Sequence, residues 1–438
     1  MKSVTDILSL TPISFIELLN KNNIQKFYFV YEEKEKKLVA SHTVLQTIAD
    51  YFSDDKRDFI NHEGMFFKIS DKYDMIHGAF IHRTKRGQAA GGVRFWQYAT
   101  VEDYFRDGLR LAAGMTFKNA LAGLWWGGGK GVIAHNPELD WNDINLRETV
   151  YKEYGSFISS LNGCYVTAED VGTNVNDMAN VFSGTRFTTC IPSEFGGSGN
   201  PSVATANGVI SGIEAALEFL NMGNLEGKTI ALQGLGHVGE PLVKMLLDKN
   251  ANKIIGVDIN PEHVTNVNKK YSGENNSFKL VKKNDISVFS EECDILSLNA
   301  TGAILNPSTI PKINAKIVCG AANNQLEDLQ RDGRALFERR ITYVPDFLTN
   351  RMGIVNCANE QYGYVNNDPE INQHFSKDWK HSIYNVTQQV LKESESSNKP
   401  TAEIALNIAD ELSMELHPIF GHRGKQIINS LVYNKWQE

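Results

Sequence analysis

The sequence predicts an α/β protein of two domains: an N-terminal α/β domain, then a doubly wound parallel-sheet domain, with a C-terminal helical segment returning across the cleft. Three observations lead there. A chain of 438 residues is too long for one compact core. Residues 229–258 read as strand, GxGxxG turn, helix, strand and Asp. Strand-like runs then recur at 278–281, 294–299, 315–320 and 341–344, the spacing of strands alternating with helices.

Composition excludes several classes. A net charge of −8 argues against nucleic acid or an anionic membrane as the main partner. No run approaches the roughly 18 consecutive apolar residues of a membrane span. The start, MKSVTDILSL, carries an acid where a signal or transit peptide would not, so a cytoplasmic protein is expected. Five cysteines, scattered and without CxxC spacing, fit reduced thiols. His417 and His422 are separated by Pro418 and Gly421 and lack a third ligand, so no metal is expected.

In chain order, residues 1–40 give an amphipathic start and the charge run EEKEKK (32–37), read as a solvated turn or face. Gly78–His82 and Gly92–Phe95 read as short strands around a glycine-rich turn. Thr100 with Asp103 resembles a capping box, and Val101, Tyr104, Phe105, Leu109 and Ala112 share one helical face. A helix over 145–163 follows, then a strand end, loop and helix start over 165–178. The Gly-, Ser-, Thr- and Pro-rich segment 183–203 is the preferred boundary. This gives 1–203 for substrate binding, catalysis and oligomerisation, 204–350 for the nucleotide, and 351–438 for the helical return. In the last part, Ile383, Val386 and Val390 line one helix and Ile404, Ile408 and Leu412 another, with ESESSNKP (393–400) as a polar linker.

Leu111–Ile133 places Lys118 and Lys130 in a run of 23 otherwise uncharged residues. A buried ammonium is costly without a partner, so two of them suggest a pocket that needs positive charge. Gly127, Gly128 and Gly129 would let backbone approach whatever lies beside Lys130. The alternative is a helix end with one lysine snorkelling outward. A phosphate loop is excluded, because Leu124 and Gly131 stand where GxxxxGK[ST] needs Gly and Ser or Thr.

Phosphate chemistry belongs instead to Gly234-Leu235-Gly236-His237-Val238-Gly239, between the strand Thr229–Leu232 and a helix from Pro241. The glycines would admit a pyrophosphate to the helix N-terminus, where free N–H groups and the helix dipole meet its charge. Asp258, ending the second strand, would bind ribose hydroxyls and repel a 2′-phosphate. A Rossmann-type domain binding NAD is therefore expected; a glycine-rich turn without cofactor is the alternative.

Read together, GGVRF (91–95), GMTFKNALAGLWWGGGKG (114–131), TAEDVGT (167–173) and NPS…TANGV (200–209) carry a resemblance, with QGLGHVG (233–239), NATGAILN (299–306), GAANNQL (320–326) and VPDFLTNRMGIVN (344–356). Over roughly residues 75–365 the chain resembles the glutamate/leucine/phenylalanine/valine dehydrogenase family. The resemblance implies reversible oxidative deamination of an L-amino acid to a 2-oxo acid and ammonia. It implies that Lys118 clamps the substrate carboxylate, that Lys130 activates water, and that Asp170 moves protons at the substrate nitrogen. Burial beside another cation would depress the Lys130 pKa and suit it to that task. Alone, Asp170 also reads as a helix N-cap.

By the same resemblance, Gly91 and Gly92 let backbone approach the substrate and Met115 belongs to its binding set. Thr205, Asn299, Ala300, Asn323 and Asn350 line the nicotinamide and substrate amine. Ala90, Ala168, Ile354 and Cys357 match the side-chain pocket. Glutamate-specific members carry lysine at the Ala90 position and serine at that of Cys357, so an apolar substrate is implied, with the small Ala90 leaving room for an aromatic one. One departure is Arg351-Met352, where the family reads Ala-Gly; it is expected to reshape the pocket or bring charge to its rim. The extra N-terminal residues leave subunit count open within a homo-oligomer. The alternatives are a non-catalytic sensor or scaffold, a glutamate-type enzyme, and a 2-hydroxy-acid dehydrogenase, which would want an Arg and His pair.

Overall fold

The computed structural model describes residues 3–55, 57–363, 365 and 367–438, so Met1 and Lys2 of the amphipathic start lie outside the described residues. Helices α1 (Val4–Leu8) and α2 (Pro12–Lys21) are capped by Ser3 and Thr11, with Pro12 in a first turn that has no use for its missing N–H. Strands β1 (Lys26–Glu32) and β2 (Lys37–Ala40) pair as a hairpin, and the charge run makes its turn, as expected. Then come α3 (Gln46–Ser53), β3 (Gly64–Ile69), β4 (Ile76–Arg83), β5 (Ala89–Trp96), α4 (Val101–Leu121), β6 (Gly127–Ala134), α5 (Ile144–Ser160), β7 (Tyr165–Glu169) and α6 (Val175–Phe182).

These strands form one seven-stranded mixed sheet, ordered β2-β1-β3-β4-β6-β5-β7. The strands expected near 78–82 and 92–95 form, but β6 lies between them. Strand alternation splits the side chains between two cores. Phe27, Phe29, Phe67 and Phe80 meet the apolar faces of α2 and α4, and Tyr28, Val30 and Phe66 meet α5. All five residues expected on one face of α4 are buried. Thr100 caps that helix by accepting from Asp103 N, but no reciprocal bond from the Asp103 side chain to Thr100 N completes a capping box.

The second sheet follows α7 (Ser202–Phe219). It comprises β8 (Thr229–Gln233), α8 (Gly239–Asp248), β9 (Lys253–Asp258), α9 (Pro261–Tyr271), β10 (Ser277–Leu280), β11 (Ile295–Leu298), β12 (Ile317–Val318), α10 (Leu329–Glu338) and β13 (Thr342–Tyr343). Its order is β10-β9-β8-β11-β12-β13, every pair parallel, so strand direction of growth reverses between β8 and β11. In such sheets ligands sit at the C-terminal strand ends beside that reversal.

After α11 (Asp346–Thr349), the return segment from 351 holds α12 (Met352–Tyr362), α13 (Pro369–Asn372), α14 (Ile383–Ser397), α15 (Thr401–Ser413) and α16 (Arg423–Tyr433). Helix α14 packs on α7, α15 touches both α4 and α10, and α16 sinks Ile428 and Leu431 into the first sheet's core. The chain thus crosses the cleft. The expected linker 393–400 is corrected: α14 continues through Ser397, because buried Ser394 faces inward while the other polar residues face solvent. Asn398, in the left-handed region at φ 56°, ends it.

Candidate active site

The site begins where α4 lies on β6. A Cβ at Gly128 would stand 2.0 Å from Thr116 Oγ1 and 2.1 Å from Thr116 N. Gly128 thus admits helix α4, while a Cβ at Gly127 would meet the Arg83 carbonyl at 2.1 Å and one at Gly129 the Tyr165 ring at 2.8 Å. At Gly91 and Gly92 an added Cβ would meet the carbonyl oxygens of Gly129 and Glu169, 2.0 and 2.4 Å away, with Met115 Cγ at 2.9 Å and Asp170 Cβ at 2.8 Å, so the missing side chains let strands and site residues close together here.

Lys130, on β6 and 4% exposed, pairs with Asp170 Oδ2 at 2.9 Å. Asp170 follows β7, and Arg94 of β5 reaches the same oxygen through Nε at 3.4 Å. Arg94 Nη1 also donates to both oxygens of Asp107, at 3.2 and 3.0 Å, and the Tyr98 hydroxyl donates to Asp107 at 2.8 Å. Burial pushes the Asp170 carboxyl up, but Lys130 and then Arg94 outweigh it and hold it below the usual range. The N-cap alternative for Asp170 falls: Asn174 caps α6, in a capping box with Asp177.

Lys118, half-buried near the end of α4, donates to Asn323 Oδ1 at 3.3 Å. That oxygen also accepts from Asn350 Nδ2 at 2.8 Å, while Asn350 Oδ1 is buried with no partner among the described residues. Burial, with the charge of Lys130, pushes the Lys118 ammonium down against the opposing pull of Asp346 and Asp170. Asp346 is itself buried, accepts from Tyr343 Oη at 2.9 Å and Asn324 N at 2.6 Å, and has its carboxyl raised by burial. The sequence reading missed Arg94 and Asp346, although both stand inside quoted motifs.

Ala90, Ala168, Ile354 and Cys357 come together in one apolar cluster, with Trp126, Val166 and Ala358; Met115, Leu124, Phe187 and Cys190 pack against it. Ile354, Cys357 and Ala358 share one face of α12, three and four residues apart. Phe187 and Cys190 had gone unnoticed, for they lie in a loop without periodic pattern. Only hydrophobic side chains make up this cluster, and the Glu360 carboxylate lies next to it, accepting from Cys190 N at 3.1 Å. A separate cavity of about 290 Å³, lined by Trp125, Tyr362 and Trp379, shares only Leu124 and Ala358 with it.

Arg351 and Met352 turn away from this cluster, which corrects the expectation of a charge at the pocket rim. Arg351 is fully buried; Nη1 donates to the Leu121 carbonyl at 2.7 Å, and Nη2 meets His374 Nδ1 and the His381 carbonyl. Burial lowers its guanidinium to about 9. Met352 packs with Ala122, Val355 and Ile383.

At the second sheet, Gly234 has φ +93°, and a Cβ at Gly239 would stand 2.1 Å from the Gly234 carbonyl. His237 and Val238 complete this turn, and no side chain caps the first N–H groups of α8. Asp258 Oδ2 accepts from Leu235 N at 2.7 Å and Oδ1 from Asn260 N at 2.8 Å; His263 Nδ1, unanticipated, lies 3.2 Å from Oδ2. Beside β8, Asn299 follows β11 and takes Ala321 N on its side-chain oxygen at 3.0 Å, followed by exposed Ala300; Thr205 is buried in the first turn of α7. A tight glycine cradle, uncapped N–H groups and a carboxylate at the next strand end fit a dinucleotide.

Among the described residues no group of three His, Cys, Asp or Glu could hold a metal ion, and no helix is long and apolar enough to cross a membrane. His422 meets Glu63 at 3.0 Å, while His417 accepts from Ile419 N and Phe420 N.

Two family models match the chain: the Glu/Leu/Phe/Val dehydrogenase dimerisation domain over residues 66–187, and Glutamate/Leucine/Phenylalanine/Valine dehydrogenase over 196–411. A leucine dehydrogenase of Geobacillus stearothermophilus is 42% identical over 332 residues, 76% of this chain and 85% of that one. A phenylalanine dehydrogenase of Lysinibacillus sphaericus is 38% identical, covering 69% and 77%. The crystal structure of L-tryptophan dehydrogenase from Nostoc punctiforme superposes with a TM-score of 0.68 at 30% identity, covering 80% and 95%.

Proposed function

The chain belongs to the glutamate/leucine/phenylalanine/valine dehydrogenase family, and from that premise we propose how its cleft deaminates an apolar L-amino acid, reversibly and with NAD. The protein is an oxidoreductase acting on the carbon that bears the amino group. The observation that carries the proposed roles is the meeting of Lys118, Lys130 and Asp170 beside that apolar cluster.

Lys118 binds the substrate carboxylate, an anion that offsets the cost of its own burial. Asp170, kept ionised by Lys130 and Arg94, accepts a proton at the substrate nitrogen. After releasing its ammonium proton to solvent, Lys130 Nζ takes a proton from the attacking water, and the charge it regains stabilises the oxygen that forms. Asn323 and Asn350 orient the amine, and Asn350 Oδ1 has acceptor capacity to spare. Gly234, Gly236 and Gly239 would hold the pyrophosphate, and Asp258 the ribose; its charge favours NAD over NADP. When bound, the nicotinamide accepts and returns the hydride.

The apolar cluster of Ala90, Ala168, Ile354 and Cys357 supports an apolar substrate, aliphatic or aromatic, over glutamate, whose distal carboxylate would find no cation among these four side chains. Assembly as a homo-oligomer is supported by the match to a dimerisation domain; unbridged thiols are in keeping with a reducing cytoplasm. Initial rates of ammonia-dependent NADH oxidation across aliphatic and aromatic 2-oxo acids test the reading. Lys130→Met should lose about 10²-fold or more in kcat while still binding NADH. Near-normal turnover by that variant would sink the role of Lys130.

A further inference from the structure

The apolar cluster contains two free thiols in contact, Cys190 Sγ and Cys357 Sγ, 3.1 Å apart. They come from distant parts of the chain: Cys190 from the loop after α6, Cys357 from α12 in the return segment. The contact is held on purpose-built backbone. Cys190 sits in the left-handed region at φ 61°, a conformation costing a side-chain-bearing residue roughly 1–2 kcal/mol. What holds it there is Glu360, one turn along α12 from Cys357. Its carboxylate accepts from Cys190 N at 3.1 Å, Ile191 N at 3.2 Å, and Ser198 N and Oγ at 3.0 and 2.8 Å. Gln361 adds a bond to the Thr188 carbonyl at 3.1 Å. The loop cannot drift from α12 without breaking several of these bonds.

We propose that Cys190 and Cys357 are an oxidation site: hydrogen peroxide entering the substrate cleft joins them in a reversible disulfide within the side-chain pocket. Cys190, the less buried of the two, reacts first. Its sulfur attacks the peroxide, the O–O bond breaks, water leaves and a sulfenic acid remains. The Cys357 sulfur then attacks that sulfur, the S–O bond breaks and a second water leaves. The two thiols lose two electrons and two protons; the peroxide is reduced to two waters. Cys357 suits the second step by position: its sulfur already stands 3.1 Å from that of Cys190, and its proton leaves with the sulfenic oxygen as water. An S–S bond of about 2.05 Å draws the sulfurs roughly 1 Å closer than they now stand, which displaces the pocket wall and lowers turnover.

The pair is a feature of the fold, whatever the pocket binds; only protection by substrate rests on the proposed function. The test treats the reduced full-length protein with stoichiometric hydrogen peroxide, alkylates, digests without reductant and weighs the peptides. The expected product links the Cys190 and Cys357 peptides with loss of about 2 Da. Alkylatable thiols fall from five to three. Activity drops about tenfold or more, and dithiothreitol restores both. The link is absent from Cys190→Ala whatever that variant's basal rate. Separate sulfinic or sulfonic acids, bridges to Cys164, Cys293 or Cys319, unreacted thiols, or a link that leaves activity unchanged would overturn the proposal. Excess 4-methyl-2-oxopentanoate with NADH withheld should slow the link several-fold. A link that forms equally fast with it supports the thiol pair and overturns the assignment of the pocket instead.

Discussion

Asp170 receives the Lys130 ammonium on Oδ2 at 2.9 Å, and that same oxygen is the one Arg94 approaches. Two cations thus converge on one carboxylate oxygen in a largely desolvated site. Arg94 is itself fixed by its fork onto Asp107, which Tyr98 and Arg110 also bind.

Arg94→Gln removes one of the two cations that depress the Asp170 carboxyl, so that carboxyl rises. The acid limb of the kcat/KM profile should then move to higher pH, with about a tenfold loss at neutral pH, near 1.4 kcal/mol. Arg94→Lys keeps the charge without the fork and should keep more of the limb's position. A pH profile unmoved by Arg94→Gln would show that the arginine only packs.

Glu360→Gln takes away one of two oxygens that together accept four hydrogen bonds from the 190–198 loop. The loop wall of the side-chain pocket loosens while Lys118, Lys130 and Asp170 stay in place. KM for apolar substrates should rise by about tenfold, within the 1–3 kcal/mol of unsatisfied buried groups, with kcat changing less. Steady-state kinetics separate the two effects.

His77 is fully buried between Tyr154 and Phe157, and neither ring nitrogen has a partner among the described residues. Burial lowers it from 6.5 to about 3 in the fold. Between those values the unfolded chain carries one more proton, so stability rises with pH there and is lost as pH falls from 6.5 towards 3. The slope for one such group is about 1.4 kcal/mol per pH unit. His77→Phe removes that group and should be less acid-labile, losing less stability between pH 7 and 5 than the parent in urea titrations.

Asp258→Ser removes the carboxylate that holds Leu235 N and would repel a 2′-phosphate. Affinity for NADH should fall, since the glycine turn loses a tether, and the NADPH-to-NADH ratio of kcat/KM should rise about tenfold or more. An unchanged ratio would remove Asp258 from cofactor choice.

The nucleotide turn was legible because its rules are local: positive φ at Gly234 and the close approach at Gly239 concern residues within one turn of each other. The side-chain cluster was legible through motif resemblance, which brought Ala90, Ala168, Ile354 and Cys357 forward together. What stayed hidden depends on distant partners. Glu360 meets Cys190 across 170 positions, and Arg351 meets Leu121 across 230. No local pattern announces either. The polar run 393–400 misled because helix continuation there depends on burial of one face against α7, a tertiary fact. Gly127, Gly128 and Gly129 of β6 were read as space for a ligand, whereas an added Cβ at each would meet Arg83, Thr116 of α4 and Tyr165 respectively.

Helix α16 gives the first sheet's core Ile428 and Leu431, and Trp436 beyond it packs edge-on against Phe66 with ring centres 5.3 Å apart. Together they bury about 1.5–3 kcal/mol of apolar side chain each, which the first 200 residues lack while they emerge from the ribosome. The opening sheet must therefore wait, with one face incompletely covered, until residues 428–436 are made. The second sheet, whose strands all come earlier than residue 344, can close first. Order of synthesis and order of completion of the two sheets are reversed, and a chain cut before α16 would leave its earlier-made sheet, not its later one, exposed to aggregation.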